Sequence, residues 1–155
     1  MGNDQIIHYG SDAIDKEMDT CWIFDNNGQY INLYLQQPGA VNAVRIVNGY
    51  HRTKDSYERY GRPKKVEISF HYVGTAEDDF RDPVAFDVDN EKDEFFLMEF
   101  DWRLNVDAVR ITALQCVGGT EFKKYFCITE LRVVGKKMKY VTFEELLENG
   151  CFEMD

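Results

Sequence analysis

Basic residues are in deficit in this chain of 155 residues: 18 Lys and Arg stand against 28 Asp and Glu, a net charge of −10. That balance argues against a nucleic-acid binder, which normally presents a basic face. Histidine is scarce too, with His8, His51 and His71 as the three imidazoles available for acid–base chemistry. No Ser or Cys motif accompanies them, and there is no Gly-x-Ser-x-Gly, His-Glu-x-x-His, Gly-x-Gly-x-x-Gly or phosphate loop. No apolar run approaches the length of a membrane span, so membrane insertion is not expected. The start, Met1-Gly2-Asn3-Asp4, is polar and no apolar stretch of a secretory leader follows it. Met1-Gly2 reads as an added start from which a native leader has been removed. The four cysteines, Cys21, Cys116, Cys127 and Cys151, form no Cys-x-x-Cys pair. Two readings stay open for them: Cys116 and Cys127 face each other across a hairpin, or all four are reduced small hydrophobes. With no internal repeat and no Pro- or Ser-rich linker, a single domain is expected.

What the chain does have is strand pattern. Hydrophobic residues make up 44 % and aromatics 14 %, enough for a sizeable core. Ile31, Leu33 and Leu35 share one face by period-two alternation, and Gln36-Gln37-Pro38-Gly39 then predicts a break. Further runs follow over 41–47, over 66–72 (Val66, Ile68, Phe70 and Tyr72 alternating), and over 83–88, 94–100, 108–114 and 128–134. Seven or so short strands predict an all-β, antiparallel jelly-roll sandwich. Thr142-Phe143-Glu144-Glu145 is a capping box and Gly150 a stop, predicting a short C-terminal helix. The expected organisation is a frayed terminus over 1–8, the sandwich over 9–135 and an extension with that helix over 136–155. The acidic stretch 77–101 reads as a solvated side of the sandwich. Within it, 87–98 has Lys92 where a calcium hand requires Gly and Met98 where it requires Glu, which excludes that motif.

Two loops hold the chemistry. The first runs Asp12-Ala13-Ile14-Asp15-Lys16-Glu17-Met18-Asp19-Thr20-Cys21-Trp22, an oxygen-rich turn entering a strand. Glu130, in Ile128-Thr129-Glu130-Leu131, is placed to complete the same site from far along the chain. Trp22, at the strand start, is read as core. The second loop, 48–64, is a long connection between two strand runs, and long ordered loops in compact domains are usually functional. Tyr faces stack on the apolar side of a pyranose, and His, Arg and Asp bond its hydroxyls. The candidate sugar contacts are therefore Tyr50, His51, Arg52, Tyr57, Tyr60 and Arg62. The competing reading is that Tyr50 and Tyr57 pack the loop down while Arg52 and Arg59 solvate it. Phe122 and Tyr125, in the turn 119–126, join the platform or serve as hairpin packing.

The first loop resembles that of the discoidin family (coagulation factor 5/8 type C, galactose-binding-like), which reads Asn-Ala-Ile-Asp-Gly, three residues, Thr, one residue, Trp. Asn48-Gly49-Tyr50, Tyr57, Arg62-Pro63-Lys64, Gly119-Thr120 and Cys127-Ile128-Thr129-Glu130-Leu131 resemble its NADase-type glycan-binding subgroup. The likeness runs from about Tyr9 to Val134, with Tyr60-Gly61 replacing a usual Asn pair and a longer 121–126 stretch. Carried over by position, it implies a structural calcium, with carboxylates from Asp15 and Glu130 and main-chain or hydroxyl oxygens from Ala13, Glu17 and Thr20. Lys16, where the family has Gly, offers a metal-free alternative by pairing with Asp15 or Glu130. The subgroup's name refers to the activity of a bacterial neighbour and does not make this chain an NADase.

The function expected is a non-catalytic glycan-binding module that tethers a larger secreted or surface protein, with Tyr57→Ala weakening sugar binding while sparing the fold. A protein–protein assembly module on the same fold is the alternative, and a hydrolase using two acids the third reading. An extracellular, cell-surface or periplasmic place is expected, with a cytoplasmic one left open.

Overall fold

The structure is a computed structural model that describes residues 22–25, 28–50, 54–88, 96–137 and 152–154. Along the chain run β1 (Trp22–Phe24), β2 (Tyr30–Asn48), α1 (Lys54–Arg59), β3 (Tyr60–Tyr72), β4 (Phe80–Asp87), β5 (Phe96–Val117), β6 (Phe122–Lys137) and β7 (Phe152–Met154). The strands connect in the order β1-β6-β2-β5-β3-β4, with β7 added on β6. Among the described residues the strands pair antiparallel, except for short parallel contacts of Tyr60 and Gly61 with β6 and a parallel bridge from Gly49 to Ile128.

The ladder is continuous, yet it makes two layers because β2 and β5 bend. The first part of β2 pairs with the late part of β5 (Ile31 opposite Ile111, Leu33 opposite Val109), beside β3 and β4. The later part of β2 pairs with the early part of β5 (Val44 opposite Met98) and with β6 (Val44 opposite Val133). Between them the register slips from Tyr34 to Gly39 and again to Val41 and Ala43. Side chains from both layers meet in one core containing Leu33, Val44, Ile46, Val66, Ile68, Phe70, Met98, Val109, Ile111, Ile128, Leu131 and Val133. The alternation read over 66–72 is kept, since Val66, Ile68 and Phe70 are fully buried.

Several boundaries differ from expectation. Gln36-Gln37-Pro38-Gly39 does not end a strand; the chain passes through it within β2. Proline has no N–H for a ladder, and here Pro38 sits exposed where the register slips, so no bond is lost. The runs 94–100 and 108–114 are two parts of β5, bent near Asn105, whose φ of 57° lies in the left-handed region that Asn tolerates. A bulge lets one strand turn a corner without ending, so β2 and β5 are longer than predicted while the strand number, seven among the described residues, is as expected. The loop after Asn48 contains the unpredicted helix α1, and the extension contributes β7 against Val133 to Gly135. The helix expected over 142–150 lies outside the described residues. Cys116 and Cys127 do not face each other: Cys116 lies opposite Pro63 on β3 and Cys127 opposite Ile23 on β1. Both are free thiols, and burial pushes that of Cys116 up to about 12. Cys21 and Cys151 lie outside the described residues. Among the described residues no helix is long and apolar enough to cross a membrane.

Candidate functional site

The signature residues of the second loop are mostly scaffold. Asn48 is buried at the end of β2, and its Nδ2 donates to Pro63 O at 2.7 Å and to Val88 O at 3.0 Å. One side-chain amide thus ties β2 to β3 and to the end of β4. Gly49 follows with φ of 88°, donates its N–H to Cys127 O, and accepts at its carbonyl from Thr129 Oγ1 at 2.6 Å. A Cβ there would meet the Tyr57 ring at 2.6 Å, so Gly is required by both backbone and space. Ser56 Oγ donates to Tyr50 O at 2.9 Å, which fastens α1 over the loop. Gly119 is pressed onto the other side: a Cβ would lie 2.0 Å from Arg59 O. The adjacent amides of Thr120 and Glu121 donate to the carbonyls of Glu58 and Arg59, the last orphan acceptors of α1. Arg59 completes this seam with a charge-assisted hydrogen bond to Glu121.

Under that loop lies a second small core. Tyr50, Tyr60 and Cys127 are buried there, with Ile23, Phe122 and Tyr125 packed against them at partial exposure. Tyr50 meets Tyr60 edge-on at 5.1 Å, and Tyr60 meets Phe122 at 4.5 Å. Tyr57 is 6 % exposed, with the Arg62 guanidinium over its ring at 4.8 Å. Three of the expected sugar platforms are therefore buried: Tyr50 and Tyr60 pack against β6, and Tyr57 lies against Gly49 and Arg62. Because Tyr57 is buried, Tyr57→Ala is expected to cost stability as well as any binding. Arg62 is half-buried over Tyr57, while Phe122 and Tyr125 reach the rim. His51 and Arg52 lie outside the described residues.

What opens beside this core is a groove of about 250 Å³, lined by Trp22, Ile23, Phe24, Asp25, Gln29 and Tyr125. β1 builds one side through its pairing with β6 (Trp22 opposite Ile128, Phe24 opposite Phe126). Trp22 stacks on Phe24 at 4.4 Å and packs against the main core, as read from the sequence, but its exposed part also borders the groove. Gly28, at φ of 88°, turns the chain and donates to Ala113 O, which sets Gln29 at the rim. The Asp25 N–H donates to Gln29 Oε1 at 2.9 Å, fixing the amide beside an exposed carboxylate. The arrangement offers aromatic surface from Trp22 and Tyr125 and polar atoms from Asp25 and Gln29, the anatomy of a small-ligand site. Asp25 and Gln29 were missed by sequence reasoning. The available signal was the polar turn, 25–29, directly after an aromatic strand.

Of the expected metal ligands, Ala13, Asp15, Glu17 and Thr20 lie outside the described residues. Glu130 is on β6 opposite Val47 and is 1 % exposed. A carboxylate so deeply buried requires compensation by hydrogen bonds or a cation, so its placement fits a ligand of a hard cation as well as a member of a hydrogen-bonded loop.

The fold is that of F5/8 type C domains. The chain belongs to the family described as the NAD glycohydrolase translocation F5/8 type C domain, whose model matches residues 1–134. It is similar to an F5/8 type C domain from Bacteroides fragilis, with 19 % identity over 83 % of this chain and 82 % of that one and a TM-score of 0.62. A family 32 carbohydrate-binding module of NanJ from C. perfringens, solved in complex with galactose, is 24 % identical over 81 % and 84 % of the two chains, with a TM-score of 0.60. The family 32 module of AlyQ, solved with 4,5-unsaturated mannuronic acid, is 19 % identical over 82 % and 88 %, with a TM-score of 0.61. A search of curated proteins found no match.

Proposed function

We propose that the chain is a non-catalytic glycan-binding module whose sugar sits in the groove between β1 and the start of β6. The observation that carries this reading is the groove lined by Trp22 and Tyr125 with Asp25 and Gln29 at its rim. A pyranose presents an apolar C–H face and a ring of hydroxyls, and these two kinds of group meet both needs. The likeness to modules solved with galactose and with an unsaturated mannuronic acid supports the same reading. In this role the module tethers a larger secreted or surface protein to glycans. Calcium, held by Glu130 together with the 13–20 loop, would order the chain ends and take no part in chemistry.

A glycan array probed with and without calcium tests both proposals. Specific hits that Tyr125→Ala abolishes support the groove, and loss of those hits on chelation places the cation in the architecture. A blank array in both conditions overturns the glycan reading. The family description names translocation, which favours a protein partner as the second reading. Competition by free monosaccharides at millimolar levels separates the two, because a protein-docking surface would ignore them.

A further inference from the structure

We propose that the outer face of the sheet formed by β4, β3, the late part of β5 and the first part of β2 is a second glycan site, taking a sugar with a single carboxylate. The face carries an ordered cation. The Arg110 guanidinium lies 3.9 Å from the ring centre of Tyr30 and 4.0 Å from that of Phe80. Its Nε donates to Asn32 Oδ1 at 2.9 Å, the residue directly opposite it on β2. The pairing explains how it lies there: its other neighbour is Ser69 on β3, whose short side chain lets Arg110 reach toward Phe80 on β4. Two rings and an amide thus hold the guanidinium in one orientation, and both Nη groups have no hydrogen-bond partner among the described residues.

A stacking surface stands beside it. Tyr34 is 71 % exposed, and Tyr30 is 50 % exposed. Tyr34 faces Ala108 across the ladder, so no tall side chain crowds its ring. Asn32 Nδ2 donates to Tyr34 Oη at 3.4 Å, so the phenol accepts this bond and its own O–H remains available to donate. Asn32 therefore bridges the cation and the platform. A fixed fork of two Nη donors matches a planar carboxylate, and an immobilised guanidinium loses little freedom on binding. An exposed phenol ring at its side takes the C–H face of the same sugar.

Charge decides between one carboxylate and many. On this face His71 pairs with Asp107 and Glu67 lies two residues along β3 from Ser69, while no carboxylate pairs with Arg110 among the described residues. Locally a single anionic group is complementary. The whole chain, at −10, repels a polyanion. The favoured ligand is thus a neutral glycan ending in one uronic acid, and a polyuronate is disfavoured. The site shares no lining residue with the groove of Trp22 and Tyr125.

Calorimetric titration of the full chain with a glucuronic-acid-terminated trisaccharide, and with the same trisaccharide reduced at its carboxyl to a hydroxymethyl, tests this. The acid form is expected to bind at least tenfold more tightly. Tyr34→Ala and Arg110→Gln should each weaken it tenfold or more, with Tyr125→Ala leaving it within twofold. Equal affinity for the two sugars, no heat at millimolar ligand, or unchanged binding in Tyr34→Ala overturns the proposal. Loss in Tyr125→Ala does so as well, since it moves the ligand to the groove. If Arg110→Gln unfolds, Tyr34→Ala still decides, because an exposed ring can be removed without disturbing the core.

Discussion

Tyr60 and Tyr125 belong to one aromatic cluster at one end of the sandwich, yet the two do opposite work. Tyr60, 7 % exposed, is wedged between Tyr50 and Phe122 and joins Tyr50 to β6. Tyr125 packs on the same cluster from its edge and gives part of its surface to the groove with Trp22. The inner part of the cluster is fixed by what it supports, and the outer part is open to a ligand. In this region family resemblance and the proposed ligand contact separate in space. The Asn48-Gly49-Tyr50 and Gly119-Thr120 signatures build the wall, and the groove beside it is lined by other residues.

Replacing Tyr60 by Ala tests the inner half most severely. Truncating a buried aromatic costs about 3–5 kcal/mol, so urea unfolding of Tyr60→Ala should show a midpoint collapse with loss of any sugar binding. Asn48→Ala comes next. It strips two buried carbonyls, those of Pro63 and Val88, of their donor, and a loss of about 2–3 kcal/mol is expected by the same measurement. A value below about 0.5 kcal/mol would mean that Asn48 is not the tie it resembles. Tyr125→Ala sharpens the comparison from the other side: stability should fall by about 1 kcal/mol, the scale of an average substitution. Affinity for an array hit should fall about tenfold, or about 1.4 kcal/mol. An unchanged affinity with a folded variant would remove the groove from consideration.

The smallest expected effect lies far from that end. His71 Nδ1 meets Asp107 Oδ1 at 2.5 Å and its Nε2 meets Ala76 O at 2.9 Å, so both ring nitrogens face acceptors. The hydrogen bond to Asp107 raises the imidazole above its ordinary 6.5, against the opposing effect of burial. Because the folded value is the higher one, the stabilisation is complete below about pH 6.5 and is lost as pH rises through the folded value. The melting-temperature gap between wild type and His71→Gln should be widest near pH 6 and shrink toward pH 8. A gap that grows with pH would reverse the assignment.

How much of this was legible follows from which signals are local. The faces of β3 and of the first part of β2 were readable because Val66, Ile68, Phe70, Ile31 and Leu33 alternate against one core. The corners were not: Pro38-Gly39 is a break by local chemistry, and only the pairing with β5 and β6 shows that the strand continues. The family was recognisable because glycines at 49 and 119 and the Asn48 amide are demanded by close backbone approach, which leaves fixed letters at fixed spacing. Burial of a loop tyrosine leaves no such letter. Tyr50, Tyr57 and Tyr60 read like Tyr34, and only the packing of α1 and β6 separates the buried rings from the exposed one. Arg110 was equally silent, since its two rings come from β2 and β4, separated from it by long stretches of chain.

The corner in β2 has a further consequence. Since β2 and β5 each contribute to both layers, opening the body of one layer is expected to strip pairing from the other. Slow amide hydrogens in β3 and in β6 should therefore report one and the same opening free energy. A module built this way has no soft layer to peel, so a pull applied through its neighbours would be resisted by the whole sandwich until it gives way at once.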